Sequence, residues 1–215
     1  MGSEMCIRDR HGSAKVQPIR IGHVVLFLQK ALRKVREFAF HFEVDGNRAF
    51  DMTRLARDVT RSGVTEMDFA QEPNSLLWNV RNDGVVATLT YLRDEDVVGW
   101  SRQILGGSFG TGDAEVESVA VIPGNDTTGS IGRDEVWLIV KRTINGATKR
   151  YVEFIEADFE VGDTQADAFY VDSGLSYSGS ATTAIVGLAH LAGETVAVWG
   201  DGAVQPSVVV LSLIH

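Results

Sequence analysis

Apolar and polar residues alternate most clearly between Ser75 and Arg102, in SLLWNVRNDGVVATLTYLRDEDVVGWSR. Leu76, Trp78 and Val80 share one face of a first run. Val85, Ala87, Leu89 and Tyr91 share one face of a second, and Val98, Trp100 and Ile104 one face of a third. A period of two is that of a half-buried strand. Asp83-Gly84, two residues that accept positive φ, closes the first hairpin, and the polar break Arg93–Asp96 separates the second and third runs. With Val64–Phe69 upstream and the Pro-containing turn Gln71–Asn74 between, the pattern predicts a four-stranded antiparallel meander, the size of one propeller blade.

Similar patterns flank this unit. Upstream, Val24–Gln29 is a β-rich run, Lys30–Lys34 a basic turn, and Val35–Val44 a second alternating run. There Phe38, Phe40 and Phe42 fall on one side with Arg36 and Val44, and Val35, Glu37, Ala39, His41 and Glu43 on the other. The phenylalanine side is expected to be the buried one. Asp45-Gly46 marks a turn. Downstream, Val116–Ile122, Glu135–Arg142 and Lys149–Ile155 read as strands, the last two joined by Asn145-Gly146. Trp137 stands in its strand where Trp78 stands in its own. The offsets are 78 − 27 = 51 from Phe27 to Trp78 and 137 − 78 = 59 from Trp78 to Trp137. Such an irregular period fits blades with variable insertions better than a strict solenoid.

A helix over Leu26–Phe40 competes with the upstream hairpin, since Lys and Arg are good helix formers, but the three alternate Phe fit one strand face better. Asp51–Ser62 carries the one convincing helical signal. Met52, Leu55 and Val59 lie at i, i+3 and i+7, Asp51 is placed as N-cap, and Gly63 follows as a C′ residue. The fold expectation is therefore all-β. It comprises a partial β-propeller of two to three antiparallel blades over residues 11–157, with one short inter-blade helix at 51–62. A polar connector follows at 158–178, containing Phe169-Tyr170. The last part, 179–210, is expected to be a small β-barrel-like unit with strands Thr182–Val186, Thr195–Trp199 and Ser207–Val210 and a turn at Asp201-Gly202. The ends MGSEMCIRDR (1–10) and LSLIH (211–215) resemble translated sequencing-adapter read-through from assembled metagenomic reads. On that reading both are foreign and the native protein is a truncated one that extends beyond them.

Composition narrows the function classes. The chain has 215 residues, 22 Gly and a net charge of −9. An acidic surface disfavours general binding of nucleic acid or anionic lipid, which needs clustered Lys and Arg. A single cysteine, Cys6, excludes an intrachain disulfide framework and a cysteine zinc site. No run reaches the ~18 apolar residues of a membrane-spanning helix, so no membrane span is expected.

No catalytic, cofactor-binding or metal-binding residue is assigned. Gly106–Asp113 (GGSFGTGD) lacks the Lys-Ser/Thr ending of a phosphate loop and reads as a connector. His23, His41 and His190 have no metal spacing. Asp172-Ser173-Gly174 lacks the Gly two residues before the serine that a nucleophile elbow needs. Asp94, Glu95 and Asp96 are consecutive and read as a solvated turn, not a calcium loop, and Asn125-Asp126 lacks acidic partners. Trp78, Trp100, Trp137 and Tyr151 sit in alternating apolar runs and read as core. Lys30, Arg33, Lys34 and Arg36 read as a solvated turn.

The segments LLWNVRNDGVVATLTYLRDEDVVGW, VESVAVIPG, DEVWLIVKRTINGATKRYVE and DAFYVDSGLSY together resemble the nozzle proteins (tail tubular protein B type) of short-tailed phages. The resemblance covers roughly residues 11–210. Its most specific parts are the Leu-Trp-x-Val-Arg-x-Asp-Gly hairpin at Leu77–Gly84 and Asp134–Gly146, with Asp51–Ala56 like the inter-blade helix. GLAHLAGETVAVWGDG, ending at Gly202, is similar to the small β-barrel that follows the propeller there. The resemblance implies a virion structural protein without enzymatic activity. It would be a propeller-bearing subunit of a homohexameric ring, bound to other tail or adaptor proteins, through which DNA passes without sequence-specific binding. It would be made in the host cytoplasm and end in the tail. The acidic balance suits a conduit that must not adsorb its cargo. Two other readings stand beside it: a carbohydrate-binding propeller or tail-fibre-like adhesin using exposed aromatics such as Trp100, and, last, a propeller hydrolase.

Overall fold

The computed structural model describes residues 11–124, 132–156, 158–159, 161–162 and 170–211. The expectations for residues 1–10, Asn125-Asp126, Phe169 and 212–215 lie outside them. The chain is all-β and forms two compact units. The first draws on Met1–Ile104, Glu115–Val140 and Tyr151–Glu156, the second on Leu105–Ala114, Lys141–Arg150 and Ala157–His215.

The first unit begins with a sheet of four strands in chain order: β1 (Ile19–Ile21), β2 (Val24–Leu28), β3 (Val35–His41) and β4 (Gly46–Asp51). A second sheet repeats the plan with β5 (Val64–Ala70), β6 (Leu76–Arg81), β7 (Val86–Leu92) and β8 (Val97–Gln103). This is the meander expected around Asp83-Gly84. The loop has three residues, Asn82–Gly84, not the expected two: Arg81 N bonds to Val85 O and Gly84 N to Arg81 O (both 3.0 Å), and Gly84 takes the left-handed position at φ +76°. After these come two strands of the second unit, β9 (Ser108–Phe109) and β10 (Gly112–Asp113). A third main sheet is ordered β11 (Glu115–Ile122), β12 (Glu135–Ile144), β13 (Ala147–Phe154). The second unit ends in a hairpin, β14 (Thr195–Gly200) with β15 (Ala203–Val209), turned at Asp201-Gly202. Every main sheet pairs strands in the order in which the chain supplies them.

The first two sheets pack face to face. Val24, Leu26, Leu28, Val35 and Ala39 from one meet Val64, Met67, Leu77, Leu89 and Tyr91 from the other. Directly opposed residues of antiparallel strands share a face, so Leu77, Leu89 and Trp100 line one side of the second sheet. Trp78, Val80, Val86 and Thr88 line the other, also buried. The third sheet approaches that other side through β11. Glu66 and Asp68, opposite Val80 and Trp78 on β6, accept hydrogen bonds from the β11 amides of Val119 (3.2 Å) and Val121 (2.6 Å). Two carboxylates thus cap amides on the free edge of β11, which would otherwise invite another strand.

The sheets resemble one another in detail. In both, the third strand runs into a 3₁₀ turn (Phe42–Val44, Arg93–Glu95) that ends on a left-handed aspartate, Asp45 or Asp96, whose amide returns to the first carbonyl of the turn. The pairs Phe38–Ala49 and Leu89–Trp100, or Phe40–Asn47 and Tyr91–Val98, are each displaced by 51 residues. The second strands are displaced by 52: Leu26 pairs with Glu37 as Trp78 pairs with Thr88. The connection Gln29–Lys34 is one residue longer than Arg81–Val85, which shifts the count. Leu26, not Phe27, is therefore the counterpart of Trp78, and Phe27 points to the opposite face.

Three further expectations are corrected. Residues 51–62 form no helix. Asp51 completes β4 opposite Arg36, and the chain then runs through successive turns closed by i→i+3 bonds such as Ala56 N to Thr53 O (3.1 Å) and Gly63 N to Thr60 O (3.0 Å). Bonds from Met52 N to Val35 O (3.0 Å) and from the Thr60 hydroxyl to Arg33 O (2.7 Å) hold this segment against the first sheet. They outweigh a weak three-turn helical preference, and Leu55 ends fully exposed. The phenylalanine face of β3 is outward: Val35, Glu37 and Ala39 are buried while Phe38, Phe40 and Phe42 are exposed. Thr182–Val186 is not a strand, because Thr182 bonds locally to Ala184 through its hydroxyl, a competitor to strand pairing.

Candidate functional site

The strongest polar constellation of the first unit lies between the first two sheets. Glu37 is carried inward by β3 and accepts hydrogen bonds from the Tyr91 hydroxyl (2.8 Å) and from Arg93, which also forms its ion pair. Burial pushes the Tyr91 phenol up to about 12, and the Glu37 carboxylate beside it adds to the rise. Tyr91 and Glu37 are both buried, and Arg93 is partly exposed. The group works as a clasp between sheets.

Two more carboxylates are pinned at the turn side of the sheets. Arg81 donates from Nε to Asp83 Oδ1 (2.9 Å) and from Nη2 to Ser62 Oγ (2.7 Å), and Ser62 Oγ donates to Asp83 Oδ2 (2.5 Å). Burial raises Asp83, but the bonds from Arg81 and Ser62 outweigh it and hold the carboxyl below its ordinary range. Asp51 likewise is raised by burial and lowered further by Thr53 and by Lys34 at 2.9 Å. These groups fix chain turns and are not poised as acids or bases.

The first strands of the three main sheets converge. Close inter-sheet approaches involve β1 with β5, and β11 with β5 and β6. A cleft of about 310 Å³ opens there, lined by Lys15, Gln17, Thr65, Glu66, Met67 and Glu117. Its polar groups are of both signs, and Glu66 is already committed to Val119.

In the second unit, Ser173 Oγ and His190 Nε2 lie 2.9 Å apart on an exposed surface. Their 17-residue separation left no local motif to find them by. The pair has the bond of a nucleophile and base, but it lies in the open, without the enclosure that makes such a pair a catalyst. The glycine-rich connector is explained by packing: Arg142 donates from Nε to Gly106 O (2.8 Å), and a Cβ on Gly106 would fall 2.3 Å from Asp172 Oδ2.

The singled-out residues are not gathered into one site. His23 and His190 are exposed, whereas His41 packs edge-on to Phe50. Asp94, Glu95 and Asp96 are exposed in their turn. Arg36 departs from the solvated-turn reading: it is buried, donating to Gln29 Oε1 (2.7 Å) and Ala49 O (2.8 Å). Trp78 is buried, Trp100 donates its indole N–H to Met52 O (2.9 Å), and Trp137 packs on Phe154 at 5.2 Å. Tyr151 is partly covered on β13. Among the described residues no three His, Cys, Asp or Glu side chains are grouped to hold a metal, and no helix is long and apolar enough to cross a membrane. A scan against protein-family models finds no match, and a search of curated proteins finds no relative.

Proposed function

We propose that this chain is a structural subunit of a short-tailed phage tail nozzle, assembled as a homohexameric ring with other tail or adaptor proteins and traversed by DNA. The observation that carries the reading is the convergence of β1, β5 and β11, the first strand of each main sheet. Sequential antiparallel sheets whose first strands crowd together are what blades around a propeller axis require. The 51- and 52-residue displacements between the first two sheets support a blade repeat. The β14–β15 hairpin is then part of the small β-barrel, and the protein works in the virion tail. Its role is architectural: the buried Glu37 clasps the first two sheets together, and a net charge of −9 suits a wall that must let DNA slide.

Negative-stain electron microscopy of the gene product, expressed with whatever coding sequence flanks this stretch, tests the proposal. Ring-shaped particles with six-fold averages are expected. A strictly monomeric product would overturn it.

A further inference from the structure

The strands of the first two sheets alternate in direction and run in chain order, so their turns gather at two opposite ends of the first unit. At one end the 30–34 turn between β2 and β3 touches the 52–63 link between β4 and β5. Val64 N donates to Leu32 O (2.7 Å), and the Thr60 hydroxyl to Arg33 O (2.7 Å). Lys30, Arg33, Arg54, Arg57 and Arg61 are exposed there, and Asp58 is the one exposed acid in the two segments. Thr53, Val59 and Thr60 are buried on the inner side of the link, which leaves its arginines to point outward.

The other end is made by the turns 42–45, 71–75 and 93–96. Glu43, Asp45, Glu72, Asp94, Glu95 and Asp96 are exposed there, and the one base in these turns, Arg93, is already paired with Glu37. None of the exposed charges at either end is in an ion pair among the described residues. The unit is therefore electrically polar along its strands, which the net charge of −9 hides. Each end also carries a nearly bare apolar side chain, Leu55 (99%) among the arginines and Phe42 (90%) beside Glu43.

We infer that the basic end of one copy seats on the acidic end of a second copy. The chain itself supplies the complementary surface, cation against carboxylate, and arginine takes a carboxylate through two parallel hydrogen bonds. Leu55 and Phe42 give a protein contact an apolar centre, for which a sugar-phosphate backbone has no use. A long polyanion would also meet the repulsion of the acidic remainder of the molecule. Both ends are built from turns inside the first two sheets, so sheets stacked beside these lengthen the ends without capping them. Exposed ion pairs are individually weak, which makes the contact salt-sensitive. It is heterologous, so a copy can add a neighbour at each end. The inference goes beyond the nozzle reading and does not depend on it.

Sedimentation velocity at about 0.01 M and about 1 M salt, where the Debye length is about 30 Å and about 3 Å, tests it. The wild type is expected to show faster-sedimenting species at low salt that are lost at high salt. Arg54→Glu/Arg57→Glu makes both ends acidic, and Asp94→Lys/Glu95→Lys makes both ends basic. Each double variant alone is expected to lose the salt-sensitive species, and an equimolar mixture to regain it, since every acidic end then meets a basic one. All four side chains are exposed, and retained β-sheet circular dichroism verifies folding; Arg54→Gln/Arg57→Gln and Asp94→Asn/Glu95→Gln replace a double variant that loses it, and each alone should then weaken the association. An oligomer distribution unchanged between the two salts, a variant that associates as the wild type does, or a charge-reversed mixture that recovers nothing would overturn the inference. So would a wild type that shows no salt-sensitive species but binds a labelled oligothymidylate at low salt, which would make the basic end a nucleic-acid surface.

Discussion

Replacing Tyr91 by Phe removes one oxygen from the clasp between the first two sheets. The hydroxyl donates to Glu37 over 2.8 Å, and both residues are buried. A hydrogen bond to a charged group contributes about 1.5–3 kcal/mol, and the substitution strands Glu37 Oε2, since Arg93 donates to the other oxygen, Oε1. Near neutral pH, Tyr91→Phe should therefore cost about 2 kcal/mol, read as a lower urea midpoint at unchanged slope. The alkaline limb gives a second reading of the same bond. The phenol titrates at 10.0 when free and at about 12 in the folded chain, so the folded state holds the proton more tightly. A raised value gives stability that is complete below pH 10 and falls as pH rises toward 12. Linkage puts the loss at about 1.4 kcal/mol by pH 11 and about 2.3 by pH 12. The advantage of wild type over Tyr91→Phe should shrink by those amounts, while other titrating groups cancel in the comparison. An advantage that stays constant from pH 9 to 11.5, or a neutral-pH cost under about 0.5 kcal/mol, would refute the clasp.

Two further substitutions probe the approach of the second and third sheets. Gly84→Ala should cost about 2 kcal/mol or more, because Gly84 has a φ of +76° and an added Cβ would meet Glu115 at 2.5 Å; thermal unfolding measures it, and an unchanged midpoint counts against the close approach. Asp68→Ala frees the Val121 amide on the β11 edge, so it should lower stability by about 1–2 kcal/mol and raise light scattering on incubation; an equally stable, equally soluble variant would show that the carboxylate does not guard that edge.

The second sheet could be read from the sequence because its apolar alternation, its Asp83-Gly84 turn and its polar break coincide with strand ends. The first sheet could not be read as well. Alternation identifies a face but not which side is covered, and in a stack both faces are apolar. Three phenylalanines outweighed Val35 and Ala39 on paper, yet Glu37 lies on the buried side because Tyr91 and Arg93 satisfy it from another sheet. Those partners are 54 and 56 residues away, beyond any local pattern. The helix expected at 51–62 failed for a similar reason: a periodicity of three residues was outbid by bonds to Val35 and Arg33. Likewise the Ser173–His190 contact joins residues with no shared motif.

The strict chain order of strands within each main sheet bears on how the molecule comes into being. No main sheet waits for a distant segment to insert between its strands. Each can zip up from consecutive hairpins as soon as its residues are available, which keeps contacts local and loop-closure costs low. During synthesis the first sheet can thus form before the second has left the ribosome, but its Leu26 face remains wet until Leu77 and Leu89 arrive. The exposed intermediate is a single sheet with two apolar faces, so the interval between the first and second sheets is when the nascent chain most needs protection from its neighbours.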